Sequence, residues 1–245
     1  MEVSAGERSV LSALADYRRV AVFSFSEDPF TLGCLGEVVC RLLQNGGSSV
    51  DFHDWAAGTR FRGLNCLSES PPRRLVRAGL RNVGVSGGSL ALTQAVRQRY
   101  GARLEVDVCA DVPASPRHRR LTDKLAMSQE VFTAKRPLLD FEFDGLPVGW
   151  AVSGSLSHIL STSVGNTLVD QSQLVSMVCS FVDVVDAATA TLGSNRPDCV
   201  VVFNGRLLHD WAVRVAANQL AIPVIAVEAG SSLERFSVYR DSAHE

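Results

Sequence analysis

The chain has 245 residues, 46% of them hydrophobic, which is enough apolar material for a sizeable core and excludes a disordered segment. Its 24 Lys and Arg against 26 Asp and Glu leave a formal net charge of -2. The basic residues are scattered rather than gathered into a stripe, so nucleic acid is not expected as a partner.

Met1 to Asp16 mixes Glu2, Glu7 and Arg8 with short apolar stretches and carries no pattern of a secretory signal. Arg19 to Phe25 (RVAVFSF) is a β-branched and aromatic run that predicts a strand, and Ser26, Glu27, Asp28 and Pro29 then predict a helix start. Leu32, Leu35, Val39, Leu42 and Leu43 recur at helical spacing, and Asn45-Gly46-Gly47 supplies the stop. Ser49 to His53 is a second strand, which completes a β-α-β unit with a right-handed crossover.

From Trp55 to Pro72 the composition turns to Gly, Arg, Ser and Pro, predicting a long surface loop of the kind that often carries function. Arg81 to Val85 reads as a weak strand and Ser89 to Tyr100 as a helix. Leu104 to Cys109 alternates polar and apolar residues, the mark of a strand at a sheet edge. The cluster Arg117, His118, Arg119 and Arg120 beside Pro113 and Pro116 reads as an exposed loop or helix start rather than an anion site.

Arg120 to Ser163 is mostly helical in pattern, with breaks at Pro137 and at Asp144-Gly145-Leu146-Pro147. Gln171 to Leu192 predicts a long helix, and Asp183 and Asp186 within its apolar stretch favour a core helix over a membrane span. Cys199 to Phe203 (CVVVF) has the uninterrupted apolar character of a central parallel strand covered on both faces. Asn204-Gly205-Arg206, a helix from Leu207 to Leu220, the strand Val224 to Val227, and Glu228 to Ser232 follow. The fold expected is one α/β domain over residues 1–245, a Rossmann-like three-layer arrangement with a mostly parallel sheet and helices on both faces. The six cysteines include no C-x-x-C pair and sit mostly in apolar segments, which implies a reducing, cytoplasmic setting and no metal site.

In open parallel sheets, ligands bind outside the carboxyl ends of the strands, where loops and helix amino termini converge. That rule selects Ser24 to Asp28, Asp54, Ser86 to Ser89, Asn204 to Arg206, and Glu228 to Ser232. Asn204 offers an amide, Gly205 a close backbone approach, and Arg206 a planar donor fork for carboxylates, phosphates or sugar hydroxyls. Equally, Asn204-Gly205 makes only a strand-to-helix turn while Arg206 pairs with Glu228. Glu228 is a candidate general base for a hydroxyl. Glu27 and Asp28 are candidate bases or hydroxyl acceptors, or else acidic residues favoured by a helix dipole. His209, one turn into its helix, is within range of a phosphate there, or is a surface histidine.

Gly84-Val85-Ser86-Gly87-Gly88 fits G-x-S-x-G between a strand and a helix, the setting of a nucleophile elbow, and makes a serine hydrolase the rival reading. Its triad would need an acid and then a histidine after later strands. Those strand ends carry Asn204 and Glu228, and only His209 and His244 follow.

The closing segment PDCVVVFNGRLLHDWAVRVAANQLAIPVIAVEAGSS resembles the end of the amino-terminal, acceptor-side domain of bacterial GT-B glycosyltransferases of the surface and capsular polysaccharide type. Asn204, Gly205, Arg206, Ile222, Pro223, Glu228 and Gly230 match that pattern, while Ala221 stands where the family has glycine. Gly145 and Gly149 in FDGLPVGWAVSGSLSHIL resemble a glycine pair that precedes a helix in such proteins. The resemblance covers about the last 50 residues well and is only architectural before the middle of the chain.

The resemblance implies transfer of a sugar from a nucleotide sugar to a glycan or lipid-linked acceptor, with peripheral membrane association where the acceptor is a lipid. It also implies that a second, carboxyl-terminal domain binds the donor, so no cofactor is expected on this chain. Under this reading Glu27, Asp28 and Glu228 carry the catalytic role, and Ser26, Asn204, Gly205, Arg206, His209, Gly230 and Ser231 bind substrate. A sugar- or nucleotide-binding module without catalysis is the further alternative.

Overall fold

A computed structural model describes residues 14, 16–25, 29–44, 47–55, 103–109, 112–127, 139–162, 171–229 and 236–240. Its described elements are β1 (Arg19–Ser24), α1 (Pro29–Gln44), β2 (Ser49–Asp54), β3 (Leu104–Val108), α2 (Pro116–Met127), α3 (Val148–Thr162), α4 (Gln171–Asn195), β4 (Cys199–Phe203), α5 (Leu208–Gln219), β5 (Val224–Ala229) and β6 (Phe236–Arg240). The strands form one six-stranded sheet in the order β3-β2-β1-β4-β5-β6. All neighbouring pairs from β3 to β5 are parallel, and β6 runs antiparallel to β5.

Side chains alternate across a strand, and in the central strands both sets are apolar. Val20, Val22, Cys199, Val201, Ile225 and Val227 face one side, where Leu35, Val38, Val39, Leu42 and Leu43 of α1 cover them. Ala21, Phe23, Val200, Val202, Val224 and Ala226 face the other, beneath α4 and α5, with α2 and α3 outside. The described residues therefore form an α/β fold of three layers with helices on both faces of a mostly parallel sheet, a Rossmann-like arrangement.

The outer position of β3 among the described strands follows from its alternation. Leu104 is buried whereas Glu105 and Asp107 are exposed. The antiparallel β6 went unforeseen in the sequence, because a five-residue strand that alternates weakly carries little signal by itself. Between α2 and α3 the break at Asp144-Gly145 is a two-residue hairpin. Phe143 and Leu146 exchange backbone hydrogen bonds of 3.1 and 2.9 Å, and Asp144 and Gly145 take φ of +50° and +74°. Positive φ at both central residues is what an Asp-Gly turn of the primed type supplies. The predicted strand Arg81 to Val85, helix Ser89 to Tyr100 and most of the loop 55–72 lie outside the described residues.

The 25-residue α4 passes the length and composition test for a membrane span, yet Met177, Val178, Phe181, Val182, Val184, Val185, Ala188 and Leu192 are buried in the core. At about 37 Å it is long enough to run the depth of a sheet whose strands are about 17–20 Å and to rise past its carboxyl edge. Its far end is tied to the amino edge, where Arg19 Nη1 donates to the Asn195 carbonyl at 2.9 Å. There Asp198 Oδ2 also accepts from the backbone N–H groups of Arg18 and Arg19, each at 2.9 Å, and Arg19 Nε pairs with Asp51 at 2.9 Å. Polar contacts thus stitch the amino edge closed.

Phe181 is fully buried between α4 and the sheet. Phe181→Ala is expected to lower the unfolding free energy by about 3–5 kcal/mol, the usual cost of emptying a packed aromatic site. A urea titration followed by circular dichroism measures it.

Candidate functional site

The sheet order reverses its direction of growth between β1 and β4, the point at whose carboxyl ends open α/β sheets bind their ligands. Asn204, Gly205 and Arg206 leave the carboxyl end of β4, and Glu228 lies near the end of neighbouring β5. The turn is sharp: Asn204 and Gly205 both have φ of +67°. Gly205 is confined as well, since a Cβ there would lie 3.3 Å from the Cβ of Ala226 and 3.3 Å from Cδ of Arg214. This backbone swings Arg206 back over the strand ends. Its Nε donates to Asn204 Oδ1 at 2.9 Å, and its Nη2 donates to Glu228 Oε1 at 2.5 Å. Asn204 Nδ2 also donates to that carboxylate oxygen at 3.4 Å.

The four residues that the sequence singled out here are therefore one cluster, with an arginine side chain 49% exposed and a carboxylate 18% exposed. The pairing of Arg206 with Glu228, left open by the sequence, is present. A guanidinium carries five N–H donors, and those not engaged with Asn204 and Glu228 are available to a ligand at the rim.

The amino terminus of α5, by contrast, is satisfied from within the protein. Leu208 N–H donates to Ser155 Oγ of α3 at 2.7 Å. α3 comes this close because residue 154 is glycine, whose added Cβ would sit 3.1 Å from the Arg206 carbonyl. Asp210, buried in the first turn, accepts from the backbone N–H groups of Phe203 and of Asp210 itself. Burial raises its carboxyl well above the ordinary range, and those backbone bonds offset part of the effect. The place where a phosphate would dock on α5 thus already holds a serine and a buried acid.

His209 does not face this rim. It is buried, its Nε2 is joined to Ser180 Oγ of α4 at 2.9 Å, and its ring lies 5.2 Å from that of Phe25. A helical histidine reads as a surface residue in sequence; here the long α4 passes over it and supplies the hydroxyl that partners its ring. Burial pushes its imidazole down to about 4.

Two further histidines near the carboxyl edge were missed by sequence reasoning. His53, next to last in β2, is buried and stacks on Phe23 with centroids 4.6 Å apart, and its Nδ1 meets Asp107 Oδ2 of β3 at 3.2 Å. Only the adjacency of His53, Asp54 and Trp55 at a strand end signalled it, and the strand-end rule selected Asp54, which is buried too. His118, placed by sequence in a solvated basic cluster, lies near the start of α2 with its Nδ1 2.8 Å from Asp183 Oδ2 of α4. Asp183 is buried and also accepts the Ser115 N–H at 2.7 Å. Arg117 pairs with Asp186 at 2.8 Å and Arg120 with Asp144 at 2.6 Å, so most of that cluster clamps α2 in place. Among the described residues no three His, Cys, Asp or Glu side chains gather as a metal-ligand group.

Ser26, Glu27, Asp28, Gly230 and Ser231 lie outside the described residues, as does Ser86 with its G-x-S-x-G segment. No protein-family model, curated protein or solved structure matches this chain.

Two outcomes follow from the geometry. Gly205→Ala is expected to lower stability by roughly 1–2 kcal/mol, because a left-handed residue with a Cβ is disfavoured and the space is taken; the shift in the urea midpoint checks it. His209 has a folded pKa below its unfolded one, so the unfolded chain binds the extra proton. Its share of stability is complete above pH 6.5 and is lost as the pH falls toward about 4. Between pH 7 and pH 5, wild type should therefore lose about 2 kcal/mol more than His209→Gln, as read from paired urea titrations.

Proposed function

We propose that this chain is the acceptor-side domain of a glycosyltransferase, one that moves a sugar from a nucleotide sugar to a glycan or lipid-linked acceptor. The observation that carries the reading is the Asn204–Arg206–Glu228 cluster at the exposed carboxyl rim of a Rossmann-like sheet. Amide, guanidinium and carboxylate together offer donors and acceptors in fixed geometry, which is the chemistry that recognises vicinal hydroxyls. The likeness of the closing segment to such domains supports the same reading.

In the mechanism we favour, a carboxylate takes the proton of the acceptor hydroxyl as its oxygen bonds to the anomeric carbon of the donor. The nucleotide then leaves with the electrons of the broken glycosidic bond. Glu228 is held in place for such a role by Arg206 and Asn204, and Glu27 and Asp28 are the other candidates. Donor binding belongs to a second domain in this reading.

A surface ion pair contributes only about 0–1 kcal/mol to folding, so Arg206 can be removed without unfolding the chain. Calorimetric titration with oligosaccharide fragments of bacterial surface polysaccharides should show binding to the wild-type chain. Arg206→Ala should weaken it about tenfold or more, the loss of one or two charge-assisted hydrogen bonds, with an unchanged circular dichroism spectrum. Equal affinity in the two proteins would remove the rim from the acceptor site, and binding of a sugar nucleotide by this chain alone would favour a non-catalytic module.

A further inference from the structure

The Arg206–Glu228 rim does not end at the strands, because α3 brings a second feature to it. Residue 154 of α3 is an exposed glycine, and a Cβ there would sit 3.1 Å from the Arg206 carbonyl oxygen. Residues four apart on a helix lie on one flank, with their Cβ positions about 5–6 Å apart. Trp150, one turn before Gly154, therefore stands on the flank that meets Arg206, its Cβ within about 9 Å of that oxygen.

Trp150 is 64% exposed, the most exposed large apolar side chain among the described residues. The burial pattern of α3 explains why it points outward. Val148, Ala151, Val152 and Ser155 are buried and form the face turned to the core and to the start of α5, and Trp150 lies on the opposite side of the helix. The indole therefore contributes little to the core. Along its flank, Gly154 puts no side chain between the indole and Arg206.

The two side chains recognise different parts of one kind of molecule. The guanidinium has N–H donors left over from Asn204 and Glu228, and these meet hydroxyl oxygens in the plane of the fork. The indole offers a flat apolar face, negative at its centre, which attracts slightly positive C–H groups. A sugar ring presents both partners, hydroxyls around its edge and C–H groups on its face. Glu228, bound to the same guanidinium, repels a phosphate there and so disfavours a nucleotide across the two anchors.

We propose that Trp150 is an aromatic platform of the acceptor site, on which one ring of a glycan chain lies while a neighbouring ring meets Arg206. The inference rests on the acceptor-side reading of the rim. It goes beyond that reading by naming a chain of linked sugars, rather than a single sugar, as the ligand and the exposed flank of α3 as the surface it follows.

The test is calorimetric titration of the full chain with N-acetylchitotetraose, cellotetraose, a hyaluronan tetrasaccharide, N-acetylglucosamine and uridine diphosphate. Removing an exposed side chain leaves the fold in place, so Trp150→Ala is compared directly with wild type. Wild type should bind at least one tetrasaccharide, and Trp150→Ala should weaken that binding about tenfold or more, as truncation of an aromatic anchor does. Trp150→Phe, which keeps a flat face, should stay within about threefold of wild type. The bound tetrasaccharide should also shield wild-type tryptophan emission from acrylamide, a protection absent in Trp150→Phe, because Trp55 is buried and Trp211 partly so. If Arg206→Ala weakens binding and Trp150→Ala does not, this proposal falls and the rim reading stands. If only Trp150→Ala weakens it, or if no tetrasaccharide binds wild type, both fall. The platform is equally overturned if N-acetylglucosamine binds as tightly as the tetrasaccharide, if uridine diphosphate is what binds through Trp150, or if sedimentation shows a dimer that Trp150→Ala abolishes.

Discussion

The structure depends on the burial of both faces of β1, β4 and β5. The apolar residues of these strands meet a hydrophobic layer whichever way they point, α1 on one side and α4 with α5 on the other. At about 25 cal/mol per Å² of apolar surface removed from water, such strands hold the sheet firmly and leave no register free to slip. A parallel sheet buried in this way has only its two edges left to present polar groups, and the two edges are used differently. Arg18, Arg19, Asp51, Asn195 and Asp198 bind one another at the amino edge. The carboxyl edge gathers Asn204, Arg206, Glu228, His53, His209 and Trp55, some half-exposed and some buried, with a left-handed backbone at Asn204.

α4 connects these features. It is long enough to pass over the whole sheet, and along its length it contributes Phe181 to the core, Ser180 to His209 and Asp183 to His118 and Ser115. One apolar helix therefore both closes the core and orients two histidines at the carboxyl edge. An aspartate in the middle of such a helix is costly to bury, and it is tolerated because a backbone N–H and an imidazole meet it. His209 and Asp210 show the same burial acting with opposite signs: each is driven toward its neutral form, which lowers the pKa of the base and raises that of the acid. Adjacent in sequence, they make the start of α5 an internally satisfied end, and Arg206 is the cation of the turn that leads into it.

Much of the layer order was legible along the chain. An uninterrupted apolar run marked β4 as central, alternation marked β3 as an edge, and Asp144-Gly145 marked a break before α3, though not the hairpin it forms. The cluster of Asn204, Arg206 and Glu228 was legible too, because strand ends joined by one helix fall side by side in a parallel sheet. His53 and Trp55 were not, since a buried histidine at a strand end differs from a surface one only through neighbours on β1 and β3 that are remote in the sequence.

The sequence by itself determined the periodicities, and with them the elements, the two-faced character of the central strands and the edge at which chemistry collects, because these follow from local pattern and chain connectivity. Tertiary structure alone decided which polar groups find partners. Ser180 reaches His209, Asp183 reaches His118, and Arg206 reaches Glu228. The physical reason is that hydrogen bonds are set by contacts of a few ångströms between segments that lie tens of residues apart, and no local pattern encodes those distances.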